Sequence, residues 1–136
     1  MEALTPFYEV NEALVAMGAE NLNLCMQCGL CAGSCPWRIV DGPFNIRQLI
    51  RMAQLGVEGY ESDDILYGCT TCNKCVLKCP RGVNIIDVVK AMRAMIAETG
   101  AIPGVLKTAT GSVHSNGNPW SEPREKRTAW IEGLDV

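Results

Sequence analysis

Two stretches, "CMQCGLCAGSCP" at residues 25–36 and "CTTCNKCVLKCP" at residues 69–80, hold all eight cysteines of a 136-residue chain. They align without a gap as C-x2-C-x2-C-x3-C-P: Cys25, Cys28, Cys31 and Cys35 with Pro36, then Cys69, Cys72, Cys75 and Cys79 with Pro80. Sulfur at this density either cross-links a chain or binds metal. A disulfide framework wants an oxidising compartment and suits smaller, more loop-rich proteins. The opening "MEALTPFYEVNEAL" places acidic residues where a secretory leader carries a basic region and then an apolar block. The expectation is a reducing cytoplasm in which the cysteines serve as thiolate ligands.

The repeat has the spacing of bacterial chains that carry [4Fe-4S] clusters. Three cysteines at intervals of three can curl around one face of a cubane, and the fourth lies too far along to join them easily. In two-cluster ferredoxins that fourth cysteine serves the other cluster. Applied here, Cys25, Cys28, Cys31 and Cys79 hold one cluster, and Cys69, Cys72, Cys75 and Cys35 the other. Zinc is the competitor, because eight thiolates also make two four-cysteine sites. Zinc ribbons use paired C-x2-C knuckles, however, and a third cysteine followed by x3-C-P is surplus to that geometry. Gly29 and Gly33 meet a need for permissive backbone in the first loop, with Thr70 and Thr71 in related places of the second. Each proline turns the chain away after the fourth cysteine. Four thiolates per cluster leave no iron open to a substrate, and no catalytic constellation stands elsewhere. The chain is expected to conduct electrons without an active site of its own.

Helices must position these loops. Thr5 and Pro6 signal a first amphipathic helix with Phe7, Val10, Leu14 and Met17 on one face and Gly18 at its end. Asn45 and Gln48 have capping-box spacing before Ile46, Leu49, Ile50 and Ala53, which lie opposite Arg47, Arg51 and Gln54 and run to Gly56. Ser62, Asp63 and Asp64 read as the start of a short helix with Ile65 and Leu66, and Gly68 frees the backbone before the second loop. Asn84, with Asp87, caps a long helix burying Ile85, Val88, Val89, Met92 and Ile96, which Gly100 and Pro103 stop. No segment alternates as a strand does. The expected architecture is all-α: a helical domain over residues 1–103 with two cluster-binding loops, and an extended C-terminal arm over 104–136 with one last turn near Ala129 to Ile131.

Composition narrows the function further. A formal charge of −3 and a pI near 5.1 offer no basic face for nucleic acid. The most apolar segment, Val83 to Ala97, is interrupted by Asp87, Lys90 and Arg93 and cannot span a membrane. Oxidised clusters with their thiolates add about −2 each, which takes the loaded chain to about −7 and favours a partner with a basic rim. His114 reads as a solvated loop residue and "REKR" at 124–127 as a solvated charge run. Met17, Met26, Met52, Met92 and Met95 read as packing or cluster shielding. Trp37 is expected to cover the first cluster from water. Trp120 and Trp130, costly to expose, are expected to pack on this domain or on a partner.

With these motifs in place, "CMQCGLCAGSCP", "FNIRQLIRMAQLG" and "GCTTCNKCVLKCPRGVNI" resemble the C subunit of heterodisulfide reductase over residues of about 20 to 100. The double motif alone fits many ferredoxins; the long helical spacer and the "CTTC" form narrow it to the alpha-helical ferredoxin type. That type also occurs in the iron-sulfur subunits of succinate dehydrogenase and fumarate reductase. "GNPWSEPREKRTAW" resembles the segment that, in the fused D subunit and the sulfite-reduction-associated K subunit, leads into a cysteine-rich domain with CCG motifs. No CCG sequence occurs in the chain. The resemblance therefore implies an electron-transfer subunit that relays electrons between an A-type flavin and iron-sulfur subunit and a separate B-type CCG subunit, docked through the arm. The alternative is an iron-sulfur subunit of another dehydrogenase or quinone-linked complex.

Overall fold

The computed structural model describes residues 5–40, 42–57 and 64–134. Among the described residues every regular element is a helix, with no strand, and the chain falls into two compact units divided between Ala101 and Ile102. In the first unit three longer helices form the core. They are α1 (Tyr8–Ala16), α4 (Ile46–Leu55) and α6 (Ile85–Glu98), each packing on the other two. Leu14, Leu49, Ile50, Ala53, Val88, Val89 and Met92 are buried between them. Burying each of the larger of these side chains contributes about 1.5–3 kcal/mol, so this trio is the platform on which the loops rest.

The cysteine stretches supply two four-residue helices, α2 (Leu30–Gly33) and α5 (Lys74–Leu77). The two lie against each other, α2 also against α4 and α5 also against α6, so each half of the repeat stands on its own long helix. A third short helix, α3 (Trp37–Val40), follows the first loop, and 3-10 turns at Leu22–Leu24 and Asp64–Gly68 deliver the chain to Cys25 and Cys69.

The expected boundaries of α4 and α6 hold. Asn45 Oδ1 accepts from the Gln48 N–H at 3.4 Å, and Gly56 closes α4 with φ +60°. Two caps differ from the expectation. The first helix starts at Tyr8 with Phe7 as its N-cap and no side-chain bond, because Phe7 is spent elsewhere: its N–H donates to Leu55 O at 3.1 Å. Thr5 and Pro6 lie before the helix. Likewise Asn84 makes no cap bond to the backbone, since its amide turns to the Asp87 carboxylate. The helix-start signal at Ser62 and Asp63 lies outside the described residues.

The sequence did not mark Asn11 as a core residue. It is 1 % exposed on α1, exchanges amide bonds of 3.0 Å with Asn23, and donates to Gln54 O at 3.2 Å. With the Phe7 bond it satisfies carbonyls left free at the end of α4, which ties α1 to α4 by direction as well as by apolar contact.

The second unit corrects the expectation of an extended arm. Residues Gly104–Asn116 form a helix, α7, closed by Gly117 at φ +72°. Its lack of apolar periodicity hid it, but Thr108, Thr110 and Ser115 donate to the carbonyls of Gly104, Leu106 and Gly111, so its hydroxyls turn back on their own helix. His114 accordingly sits exposed on α7 and not in a loop. Ser112, buried, ties the following turn down: its Oγ donates to Asn118 O at 2.7 Å and accepts from Ser121 N at 2.8 Å. A 3-10 run over Arg124–Ile131 ends the unit, its charge run exposed. Trp120 and Trp130 are 79 % and 72 % exposed, so within this unit they are not packed away.

Candidate metal centres

The two cysteine loops share left-handed backbone at matching places. Gln27 and Thr71 both take left-handed φ, +58° and +53°, and so do Gly29 and Asn73, at +85° and +69°. These pairs occupy equal places in the repeat, on either side of the middle cysteine. The left-handed pair, and not Gly33 or Thr70, is therefore where the loop needs permissive backbone. Gly29 meets the need without cost; Thr71, β-branched, meets it with strain that only a fixed loop would retain. Gly29 and Asn73 then serve as the N-caps of the short helices, which turn the third cysteine of each run inward.

Exposure follows the same order in both halves. Cys28 and Cys72 are exposed, Cys31 and Cys75 are buried, and the other four are intermediate. Burial, the largest cause, pushes the Cys31 thiol up and the Cys75 thiol up to about 11, with neighbouring cysteines adding to it and backbone N–H groups opposing it. The buried thiol of each loop thus keeps its proton at neutral pH until a metal displaces it.

The eight cysteines divide between two hollows of similar size. One, partly open to solvent, is lined by Cys25, Cys28, Cys31 and Cys79 together with Arg47 and Arg81. The other is lined by Cys69, Cys72, Cys75 and Cys35 with Trp37 and Phe44. In each case three cysteines come from one loop and the fourth from the other. Trp37 therefore stands beside the second group, contrary to the expectation that it covers the first.

The donor sets suit a cluster better than a single ion. Tetrahedral zinc draws four sulfurs to about 2.3 Å from one point, and among the described residues no three His, Cys, Asp or Glu side chains gather that tightly. A cubane spreads its thiolates wider. It also presents many acceptor sulfurs, and the surroundings offer donors to match. Val83 N lies 3.3 Å from Cys79 Sγ, and Gln27 Nε2 lies 3.5 Å from Cys25 Sγ. Among the described residues Trp37 Nε1 is buried with no acceptor.

The turns that enter the loops are clamped from the long helices. From α4, Gln54 Nε2 donates to Leu22 O at 3.3 Å and to Cys25 O at 2.9 Å. From α6, Arg93 Nη2 donates to Leu66 O at 2.9 Å and to Cys69 O at 2.7 Å. Leu22 and Cys25 match Leu66 and Cys69 in the repeat, so two unrelated side chains perform one task.

Comparison with known proteins points to the same stretch of the chain. The 4Fe-4S dicluster domain family matches residues 21–83. The C subunit of the H(2):CoB-CoM heterodisulfide,ferredoxin reductase of Methanothermobacter thermautotrophicus is 40 % identical over 114 residues, which cover 81 % of this chain and 60 % of that protein. The chain is a homologue of the heterodisulfide reductase C subunits. The iron-sulfur C subunit of the CoB--CoM heterodisulfide reductase of Methanopyrus kandleri is 40 % identical over 100 residues, 73 % of this chain and 48 % of the relative. An Archaeoglobus profundus protein, named for its likeness to the heterodisulfide reductase C subunit, is 36 % identical over 110 residues, 80 % and 58 %. The chain spans about half to three-fifths of the length of these curated relatives. It is an all-helical iron-sulfur protein with two [4Fe-4S] clusters. Among the described residues no helix is long and apolar enough to cross a membrane.

Proposed function

We propose that the chain is the electron-transfer subunit of a heterodisulfide-reductase-like complex. It takes electrons singly from an A-type flavin and iron-sulfur subunit and passes them to a B-type CCG subunit, where disulfide reduction or its reverse occurs. The grouping of cysteines around the two hollows carries this reading. Cys25, Cys28, Cys31 and Cys79 hold one cluster; Cys69, Cys72, Cys75 and Cys35 hold the other. Four thiolates saturate each cluster, so the chemistry the clusters supply is one-electron storage and not substrate binding. The chain's own residues hold the clusters close together, through α2 against α5, and leave each most exposed at Cys28 and Cys72. Those two exposed ligands are the points where electrons enter and leave.

The heterodisulfide reductase names of the relatives support a hetero-oligomeric setting, and residues 104–136 are the segment we assign to docking on the B-type subunit. Purification of the chain from its native host, with bound partners identified by mass spectrometry, tests the assignment. The expected result is a complex with both A-like and B-like chains; a stable complex containing neither overturns it. The reducing cytoplasm is the compartment this reading requires.

A further inference from the structure

Among the described residues two buried side-chain nitrogens lack a hydrogen-bond partner, Trp37 Nε1 and Arg93 Nε, and both belong to the second-loop half. Trp37 lines the hollow with Cys35, Cys69, Cys72 and Cys75. Arg93 grips the Cys69 carbonyl at 2.7 Å and lies 5.2 Å from the Tyr67 ring centre, and no described carboxylate pairs with it. Its counterpart in the first half, Gln54, is neutral. The donors that reach cysteine sulfur there, Gln27 Nε2 and Val83 N, are neutral as well.

A half-buried guanidinium is permanently charged and poorly screened by water, so it acts on any charge change beside it. Other cations line the hollows, Arg47 and Arg81 in the first and Lys74 in the second, but all three are exposed and their fields are damped by solvent. Taking up one electron adds a full negative charge to a cluster. A nearby cation and an N–H donor favour that reduced form over the oxidised one.

We propose that Arg93 and Trp37 set the reduction potential of the cluster on the Cys69 side and hold it up, Arg93 by charge and Trp37 by donating its indole N–H. The cluster on the Cys25 side is tuned chiefly by neutral amides. The inference rests on the ligand grouping given above. Its consequence is that the two halves of a symmetric repeat become unequal carriers, separately adjustable by residues on α3 and α6 for the second and on the first loop and α4 for the other.

The test is an EPR-monitored redox titration of the iron-loaded full chain. Arg93→Gln should lower one of the two reduction waves by about 60 mV, a tenfold change in its one-electron equilibrium. Trp37→Phe keeps an aromatic ring and deletes the N–H; it should lower the same wave, by less. Arg93→Lys keeps the charge and should restore most of the loss, which a clamp acting only as structure would not do. Gln54→Arg, which installs the cation at the matching place, should raise the other wave. Waves that stay put in all four variants, with about eight irons retained, overturn the inference, as does Trp37→Phe moving the opposite wave from Arg93→Gln. If Arg93→Gln fails to retain iron, Trp37→Phe and Gln54→Arg decide the matter. A wild-type chain with far fewer than eight irons instead fails the two-cluster ligand grouping itself.

Discussion

Cys31 and Cys75 show at the scale of single residues what the loops demand. Each is the third cysteine of its run, buried, and raised above the usual thiol value, Cys75 to about 11. A raised thiol is protonated at neutral pH, and iron must displace that proton; as pH rises the competition weakens. Anaerobic reconstitution of the cluster-free chain should therefore run faster at about pH 8.5 than at about pH 7, followed by the growth of broad absorbance near roughly 400 nm. Equal rates would mean that these two protons do not limit loading. The crossing of ligands is testable by comparison: Cys79→Ala and Cys25→Ala should each drop iron from about eight to about four per chain and leave the same EPR signal behind. Cys79→Ala matching Cys69→Ala instead would show each loop serving its own cluster. The cysteines were legible because a cubane imposes their spacing locally. Gln54 and Arg93 were not, since each acts across tens of residues on a carbonyl that every residue possesses. The one available signal was Leu22 and Leu66 recurring three places before Cys25 and Cys69.

At the scale of elements, apolar periodicity located α4 and α6 because their buried faces are continuous, and the same rule missed α7, whose polar side chains bond to their own helix. Caps were read less well. Thr5 and Asn84 are good capping residues by type, but tertiary and local side-chain bonds decide the outcome: Phe7 N–H is taken by Leu55 O, and the Asn84 amide by Asp87. The α1 to α4 junction depends on one glycine. A Cβ on Gly56, already at φ +60°, would stand 1.9 Å from Phe7 O. Gly56→Ala should thus cost about 3 kcal/mol, measured by chemical denaturation of the iron-loaded chain. Gly18→Ala is the control, with positive φ but open space around it, and should cost about 1 kcal/mol. Equal losses at the two sites would mean that the close approach to Phe7 adds nothing.

At the scale of the molecule, the first unit is held from two sides, by the α1, α4 and α6 core and by the clusters. Helices of four residues such as α2 and α5 do not persist alone, and the crossed ligands proposed above would make each cluster a staple between the halves. Oxidative removal of iron in the presence of a chelator should therefore lower far-UV helicity and collapse cooperative melting, while the core helices alone give a broad transition. The second unit makes the opposite prediction. Its internal ties run through Ser112, Asn118 and the hydroxyls of α7, and every cysteine lies in the first unit. It exposes Trp120 and Trp130, aromatics of the kind that anchor interfaces. Cutting the chain after Gly104 should leave about eight irons and both reduction waves intact, since no cluster ligand is removed. The same cut should weaken capture of the proposed B-type partner at least tenfold in a pull-down titration, because the segment we assign to docking is gone. Loss of iron on truncation would place these residues in the cluster-bearing core, and full retention of partner binding would move the docking surface to the exposed rims of Cys28 and Cys72.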